Sequence, residues 1–216
     1  MVEKDQVRRL GRPRAYDPEV ALQRAMDTFW DAGYSGTSLD DLSARMGMNR
    51  PSLYAAFGDK EALYLKTLES YRTRRRADLA GALGNGRPLQ EALRRLYHVM
   101  VDRFLDGERG ARGCYLVGTA ATEAVENPVV RAMLAGSVRE LDEGLRTAFY
   151  AARARGELGK RADPGALAMV ASAVVYALAL RARAGQPRAA LRKVADSALK
   201  LIFPSDGAAR KRRRAR

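Results

Sequence analysis

Apolar residues recur along this chain with the period of a helix, and polar caps punctuate them. Leu22, Ala25, Met26 and Phe29 stand at i, i+3, i+4 and i+7, one face of a first helix. Asp17-Pro18 in front offers a cap and a proline at the first helical position, and Gly33 behind ends the pattern. Residues 37–60, TSLDDLSARMGMNRPSLYAAFGDK, predict two short helices around a tight turn. Ser38 caps the first of them, and Asp41 three residues on supplies an Asp form of the capping box. Leu39, Leu42 and Met46 make its apolar stripe, and Gly47 ends it. Pro51 falls in the first turn of the next helix, whose buried face is Leu53 and Phe57. Asp59 then caps a long helix that carries Leu63, Leu68 and Tyr71 on one face towards Gly81.

The stretch GALGNGRP at 81–88 is the clearest break in the chain. Pro88 opens a helix that ends near Gly107, and the charged ERGARG that follows is a loop. A short helix is expected over 114–125. Asn127-Pro128, Asp163-Pro164 and Gln186-Pro187 then open three more, reaching about Arg155, Ala184 and residue 203. Strand alternation and internal repeats do not occur. The expected fold is all-α with about nine helices: a three-helix unit holding a helix-turn-helix over 17–62, then a C-terminal helical domain over 63–204. A basic arm (1–16) and a basic tail (205–216) flank them.

The apolar run 166–180 is 15 residues, short for a bilayer, so no membrane partner is expected. Being apolar nearly all round, it needs cover on more than one side. Its small residues, Ala168, Ala171, Ser172, Ala173, Ala177 and Ala179, admit a second backbone. With the last helix, striped by Leu191, Val194, Ala195, Ala198, Leu201 and Ile202, it predicts half of a four-helix interface. The chain is therefore expected to form a homodimer through about 164–184 and 187–203. The alternative is that both helices are buried within one subunit.

Composition adds charge to this picture, and its distribution matters more than its total. The formal charge is +14, which makes an acidic polymer the first partner to consider. Residues 1–80 nevertheless carry 14 basic and 12 acidic groups, while residues 210–216 add six basic groups and no acid. Net charge thus does not single out the helix-turn-helix. The 32 arginines against seven lysines suit bidentate phosphate contacts or reflect a GC-rich genome. The run Arg72-Thr73-Arg74-Arg75-Arg76 reads as a solvated face. One cysteine rules out an internal disulfide framework and fits a reducing cytoplasm. No apolar run follows the basic N-terminal residues, so no signal peptide is expected.

The chemistry is that of binding. A single histidine, His98, and a single cysteine, with no nucleophile elbow and no phosphate-cradling glycine loop, argue against an enzyme, a metal site or a cofactor. Asn49, Arg50, Ser52 and Tyr54 are left outside the buried face of the second short helix. They offer donors, acceptors and one fixed positive charge to a DNA groove; an ordinary helical hairpin with a polar face is the alternative. Arg12 and Arg14 lie in Gly11-Arg12-Pro13-Arg14, which resembles the core of AT-hook peptides and serves either as a minor-groove arm or as a solvated tail.

Thr37-Ser38-Leu39, the turn Gly47-Met48-Asn49 and the run Leu53-Tyr54-Ala55-Ala56-Phe57-Gly58-Asp59-Lys60-Glu61 together resemble the TetR/AcrR family of bacterial transcriptional regulators. The close resemblance covers about residues 15–72; farther on it lies in helix count, length and order. One departure is Ala56, where the family often has histidine. The resemblance implies a homodimeric repressor on double-stranded DNA at a palindromic operator, released by a small-molecule inducer or an electrophile. It also implies residues 17–62 as the helix-turn-helix DNA-binding domain and residues 63–204 as the ligand-binding and dimerisation domain. A basic architectural DNA-binding protein without a specific inducer is the alternative, supported by the arm and by Arg210-Lys211-Arg212-Arg213-Arg214. Asn49, Arg50 and Ser52 are expected at base edges. By resemblance, Tyr54 and Lys60 hold phosphates, as do Thr37 and Ser38 with the backbone N–H groups of the helix they start. Tyr97, Met100, Phe104, Cys114, Tyr115, Met133 and Phe149 are candidates for an inducer pocket or are plain core. Cys114 follows a loop holding Arg109 and Arg112 and, in its Gly-Cys setting, resembles the thiol of electrophile-sensing members. A small buried cysteine is its other reading.

Overall fold

Asp17 turns the chain into its first helix: its carboxylate accepts from the Glu19 and Val20 N–H groups at 2.8 and 3.3 Å. The computed structural model describes residues 16–84, 86–107 and 110–204. Arg12, Arg14, Arg109 and the basic tail lie outside the described residues. Among those described, helices α1 (Pro18–Ala32), α2 (Leu39–Met46), α3 (Arg50–Phe57), α4 (Lys60–Leu83) and α5 (Leu89–Leu105) come first. A π-helical turn (Leu116–Ala120), a single turn α6 (Ala121–Glu123), then α7 (Pro128–Ala154), α8 (Pro164–Arg183) and α9 (Arg188–Ile202) complete the order. No strand occurs among the described residues.

The expected caps account for most boundaries. Ser38 and Asp41 form the reciprocal capping box, with Asp41 N–H on Ser38 Oγ at 3.1 Å and Ser38 N–H on the Asp41 carboxylate at 2.9 Å. Asp59, Asn127 and Asp163 cap α4, α7 and α8 with their side-chain oxygens, and Asn49, expected only at a base edge, caps α3 in the same way. Gly47 leaves α2 at φ 67° and ψ 33°, the left-handed geometry that lets the turn fold tightly. Pro88 stands just before α5 rather than inside it. The helix expected over 114–125 is instead a π-helical turn and a single α turn. There the Thr119 hydroxyl donates to the Tyr115 carbonyl at 2.9 Å, a local acceptor conflict of the kind that loosens an α-helix.

The head packs α1 on α2 and α4 around Met26, Phe29, Leu42, Leu53 and Leu63, all buried. Behind it, α4 packs on α5 and α7, α7 on α8, and α9 on α5 and α8. A boundary at 62/63 falls in the first turn of α4, a single helix that belongs to both parts. The arginine run of α4 is only in part a solvated face: Arg74 and Arg76 are exposed, yet every arginine of the run has a partner. Arg72 and Arg76 converge on Glu140 of α7, Arg74 reaches Gln23 of α1, and Arg75 is buried with its guanidinium on the Ser137 carbonyl. Burial raises the Glu140 pKa, but Arg76 and Arg72 outweigh it and hold the carboxyl below its ordinary value. This run is the seam between α4 and its neighbours.

Candidate nucleic-acid interface and the core behind it

The α2–turn–α3 unit presents its second helix outward because only Leu53 and Phe57 of α3 are buried. Tyr54 is 46% exposed, Ser52 half-buried, and Arg50 and Asn49 exposed. Arg50 is not idle: its Nε and Nη2 lie 3.0 and 2.7 Å from Asp40 Oδ1 on α2. The Asn49 side-chain Oδ1 accepts from Ser52 N–H at 2.9 Å, so its side-chain NH2 is the group most free to face a base. Ser38 is committed to the capping box, and those hydrogen bonds hold the Asp41 carboxyl below its ordinary pKa. Thr37 is 2% exposed, with its hydroxyl on the Gly33 carbonyl at 2.7 Å and its N–H on the Tyr34 carbonyl at 3.2 Å. Its role here is to fix the entry to α2. Lys60 rests over the Tyr34 ring, 4.3 Å from its centroid. Lys66 closes the end of α3 by donating to the Phe57 carbonyl at 3.0 Å. Sequence reasoning missed Asp40, Tyr34 and Lys66, whose partners are set by how the helices pack rather than by any local spacing.

The seven candidate pocket residues do not share one cavity. Tyr97 is buried and donates to the Ala171 carbonyl of α8 at 3.1 Å. Phe149 stacks on Phe203, centroids 6.5 Å apart. Phe104 is buried in α5, Met100 borders a small cavity beside α1, and Met133 is half-buried on α7. Cys114 and Tyr115 sit in an aromatic cluster with Trp30, Tyr64 and Tyr71, and the Phe104 carbonyl accepts from the Arg112 and Gly113 N–H groups just before the thiol. Trp30 lies 5.3 Å from both Tyr71 and Tyr115. Tyr71 donates its hydroxyl to Cys114 Sγ at 3.5 Å. Thr67 donates to the Tyr64 carbonyl at 2.6 Å, so across the 2.7 Å contact Tyr115 must be the donor to Thr67. Burial lifts the Tyr64 phenol to about 12 despite its hydrogen bond to Thr119, and lifts Tyr71 and Tyr115 well above the ordinary value. The phenols of this cluster are therefore neutral donors.

Gly113 sets the position of Cys114. It has φ 69°, and a Cβ there would meet the Ala179 carbonyl oxygen of α8 at 2.6 Å. Arg112 is drawn away from the thiol, with its guanidinium on Asp27 at 2.7 Å and 4.6 Å from the centroid of the Trp30 ring. A larger groove of about 650 Å³ lies elsewhere, between α4, α5 and α7, floored by Leu79, Leu83, Gly144 and Ala148. Its sequence signal is only a scatter of small residues. No group of three or more His, Cys, Asp or Glu suited to a metal ion occurs among the described residues.

Comparison with known proteins places these features in a family. The model for bacterial regulatory proteins of the tetR family matches residues 21–67, and that for a tetracyclin repressor-like C-terminal domain matches residues 90–198. An uncharacterised HTH-type transcriptional regulator, YezE of Bacillus subtilis (strain 168), is 31% identical over 74% of this chain and 82% of its own length. The HTH-type transcriptional repressor ComR of Escherichia coli (strain K12) is 28% identical over 88% of this chain and 91% of its own. Among solved structures, a cysteine mutant of the TetR family regulator CifR, complexed with 26 bp double-strand operator DNA, is 36% identical with a TM-score of 0.72. That match covers 88% of this chain and 98% of CifR. The chain belongs to the TetR family of bacterial transcriptional regulators.

Proposed function

We propose that this protein is a transcriptional repressor that binds a palindromic operator as a homodimer and is released by a small molecule or an electrophile. The observation that carries the reading is the exposed polar face of α3, on a head matched to a regulator solved on its operator. Arg50 and Ser52, with the Asn49 amide, face base edges; Tyr54, Lys60 and the start of α2 face phosphates. Arg12 and Arg14 extend the contact from the arm. For Arg50 and Lys60 the free-state partners are an acidic side chain and a ring, both exchangeable for DNA. The last two helices support the dimer: Met169, Val170 and Leu180 on α8 and Leu201 on α9 are large apolar side chains left exposed, Leu201 at 81%. By length and composition alone α8 would also cross a bilayer; its packing on α5, α7 and α9 supports a helix covered by protein on one side and by a second copy on the other. Such a dimer acts in the cytoplasm, where its DNA lies.

Release is assigned to the Cys114 cluster. Sγ bonds to an electrophilic carbon as the thiol proton leaves, and the adduct needs room among side chains that are buried on every side. Competition binding against duplexes from the DNA flanking the protein's own gene tests the whole reading. At physiological salt a palindromic site should win over random duplex by about 10³-fold or more. Equal binding to both would overturn it in favour of a DNA-coating protein.

A further inference from the structure

A cavity of about 90 Å³ lies where α1, α4 and α5 meet, apart from both the operator face and the Cys114 thiol. Trp30, Tyr71 and Met100 form its apolar walls, and arginines form much of the rest. Two of these are neutralised: Arg103 by Asp78 and Arg112 by Asp27, each at 2.7 Å. The other two are not. Arg74 is held by the side-chain oxygens of Gln23 and Ser70, both uncharged. Arg75 is 9% exposed and hydrogen-bonds the Ser137 carbonyl, with no carboxylate paired to it among the described residues. A guanidinium carries five N–H donors and is costly to bury without a counter-charge. Asp106 also borders the cavity; its carboxylate acts on Arg103, and its backbone carbonyl accepts from Arg112 at 3.0 Å.

We propose that this cavity is a binding site for a small oxyanion, held by Arg75 and Arg74 beside Trp30 and Tyr71. Size narrows the class. A cavity of roughly 150 Å³ admits benzene, so this smaller one suits a carboxylate of a few carbons or an inorganic phosphate. Its position gives the ligand a task. Gln23 and Trp30 belong to α1 of the reading head, and Trp30 Nε1 donates to the Arg112 carbonyl at 3.3 Å, so an anion here sits on the joint between head and body. The site includes neither α3 nor Cys114, but it shares Trp30 and Tyr71 with the cluster around the thiol.

Trp30 is the only tryptophan in the chain, and it reports directly. The full-length protein is titrated with sodium pyruvate, sodium phosphate or sodium chloride at matched ionic strength, reading tryptophan emission and the heat-unfolding midpoint. Pyruvate or phosphate, or both, should give a saturable emission change and a rising midpoint, and the two arms tell a carboxylate site from a phosphate site. Arg75→Met keeps an unbranched apolar stem without the guanidinium and should weaken that response by about tenfold or more, the loss expected for a charge-assisted hydrogen bond. Arg74→Gln, at an exposed position, should weaken it by a smaller factor and covers the case in which Arg75→Met fails to fold. If neither oxyanion exceeds chloride in the wild-type protein, the proposal is overturned. It is overturned equally if folded Arg75→Met, or Arg74→Gln where that is the variant available, binds as the wild type does.

Discussion

Replacing Asp40 with Asn should tighten operator binding while costing little stability. Asp40 holds the one arginine of the α3 face through contacts of 3.0 and 2.7 Å. The pair is open to solvent, with side chains 54% exposed for Arg50 and 76% for Asp40, so it contributes only about 0.2–1 kcal/mol. If Arg50 must leave Asp40 to reach a base edge, that same 0.2–1 kcal/mol is subtracted from binding, and Asp40→Asn should return about 1.4- to 5-fold in affinity. Removing a negative charge near the phosphates acts in the same direction and fades with salt. Arg50→Ala should instead lose about 1–3 kcal/mol at one operator position. The assay is anisotropy titration of a palindromic duplex at two salt concentrations, with urea unfolding as the stability control. The cycle is completed by Asp40→Asn in the Arg50→Ala background, where the salt-insensitive part of the gain should vanish. Weaker binding by Asp40→Asn, or an equal gain with and without Arg50, would refute the competition between Asp40 and DNA.

Three further outcomes are expected. Ser38→Ala removes one half of the α2 capping box and should cost about 1 kcal/mol in urea unfolding; a loss under a few tenths would mean that the box is not formed in solution. The Glu140 carboxyl titrates below its ordinary value between Arg76 and Arg72, so the stability it contributes is present above about pH 4.3. It is lost as pH falls through the depressed value. Glu140→Gln should therefore flatten the decline of stability with acid in that window, and an unchanged slope would show that Glu140 is not held ionised by the seam. Cys114→Ser should keep operator affinity yet resist release by N-ethylmaleimide or methylglyoxal, and full release of the variant by either would end the thiol reading.

The head was legible because its signals are local. Ser38, Gly47 and Asp59 each act within a few residues of themselves, and a cap or a left-handed turn is written in the sequence where it occurs. What α3 exposes followed from what it buries, since Leu53 and Phe57 leave the rest outside. The partners of the exposed groups did not follow. Arg50 meets Asp40 ten residues back, and Lys60 meets Tyr34 twenty-six residues back, pairings that exist only once α1, α2 and α4 are packed. The arginine run of α4 shows the limit most plainly. As a sequence it is four like charges, which suits solvent; as a helix crossed by α1 and α7 it is divided among Gln23, Ser137 and Glu140. Pocket residues are the least readable, because a buried Tyr97 in plain core and a buried Tyr115 beside a thiol have the same local pattern.

If release runs through Cys114 as proposed, the position of Tyr71 within α4 gives a small event in the core a route to the DNA. α4 is 24 residues long and begins at Lys60, in the head; Tyr71 lies eleven residues along, about 16 Å from that end. Its hydroxyl donates to Cys114 Sγ and its ring meets Trp30 edge-on. Trp30, Tyr71, Cys114, Tyr115 and Leu116 are all buried, and interiors packed to this density yield by displacement rather than by compression. An adduct on Cys114 therefore has to move Tyr71 or Trp30, one on α4 and the other on α1, the two helices that carry the head. On the far face of α4 the Glu140 seam ties Arg72 and Arg76 to α7, and α7 packs on α8, so the fulcrum is anchored towards the dimer. A tilt of about 10° there displaces the start of α4 by about 3 Å, and two subunits double it to about 6 Å. Recognition helices must match grooves about 34–36 Å apart, and an error of that size removes one half-site from the contact while leaving each head folded.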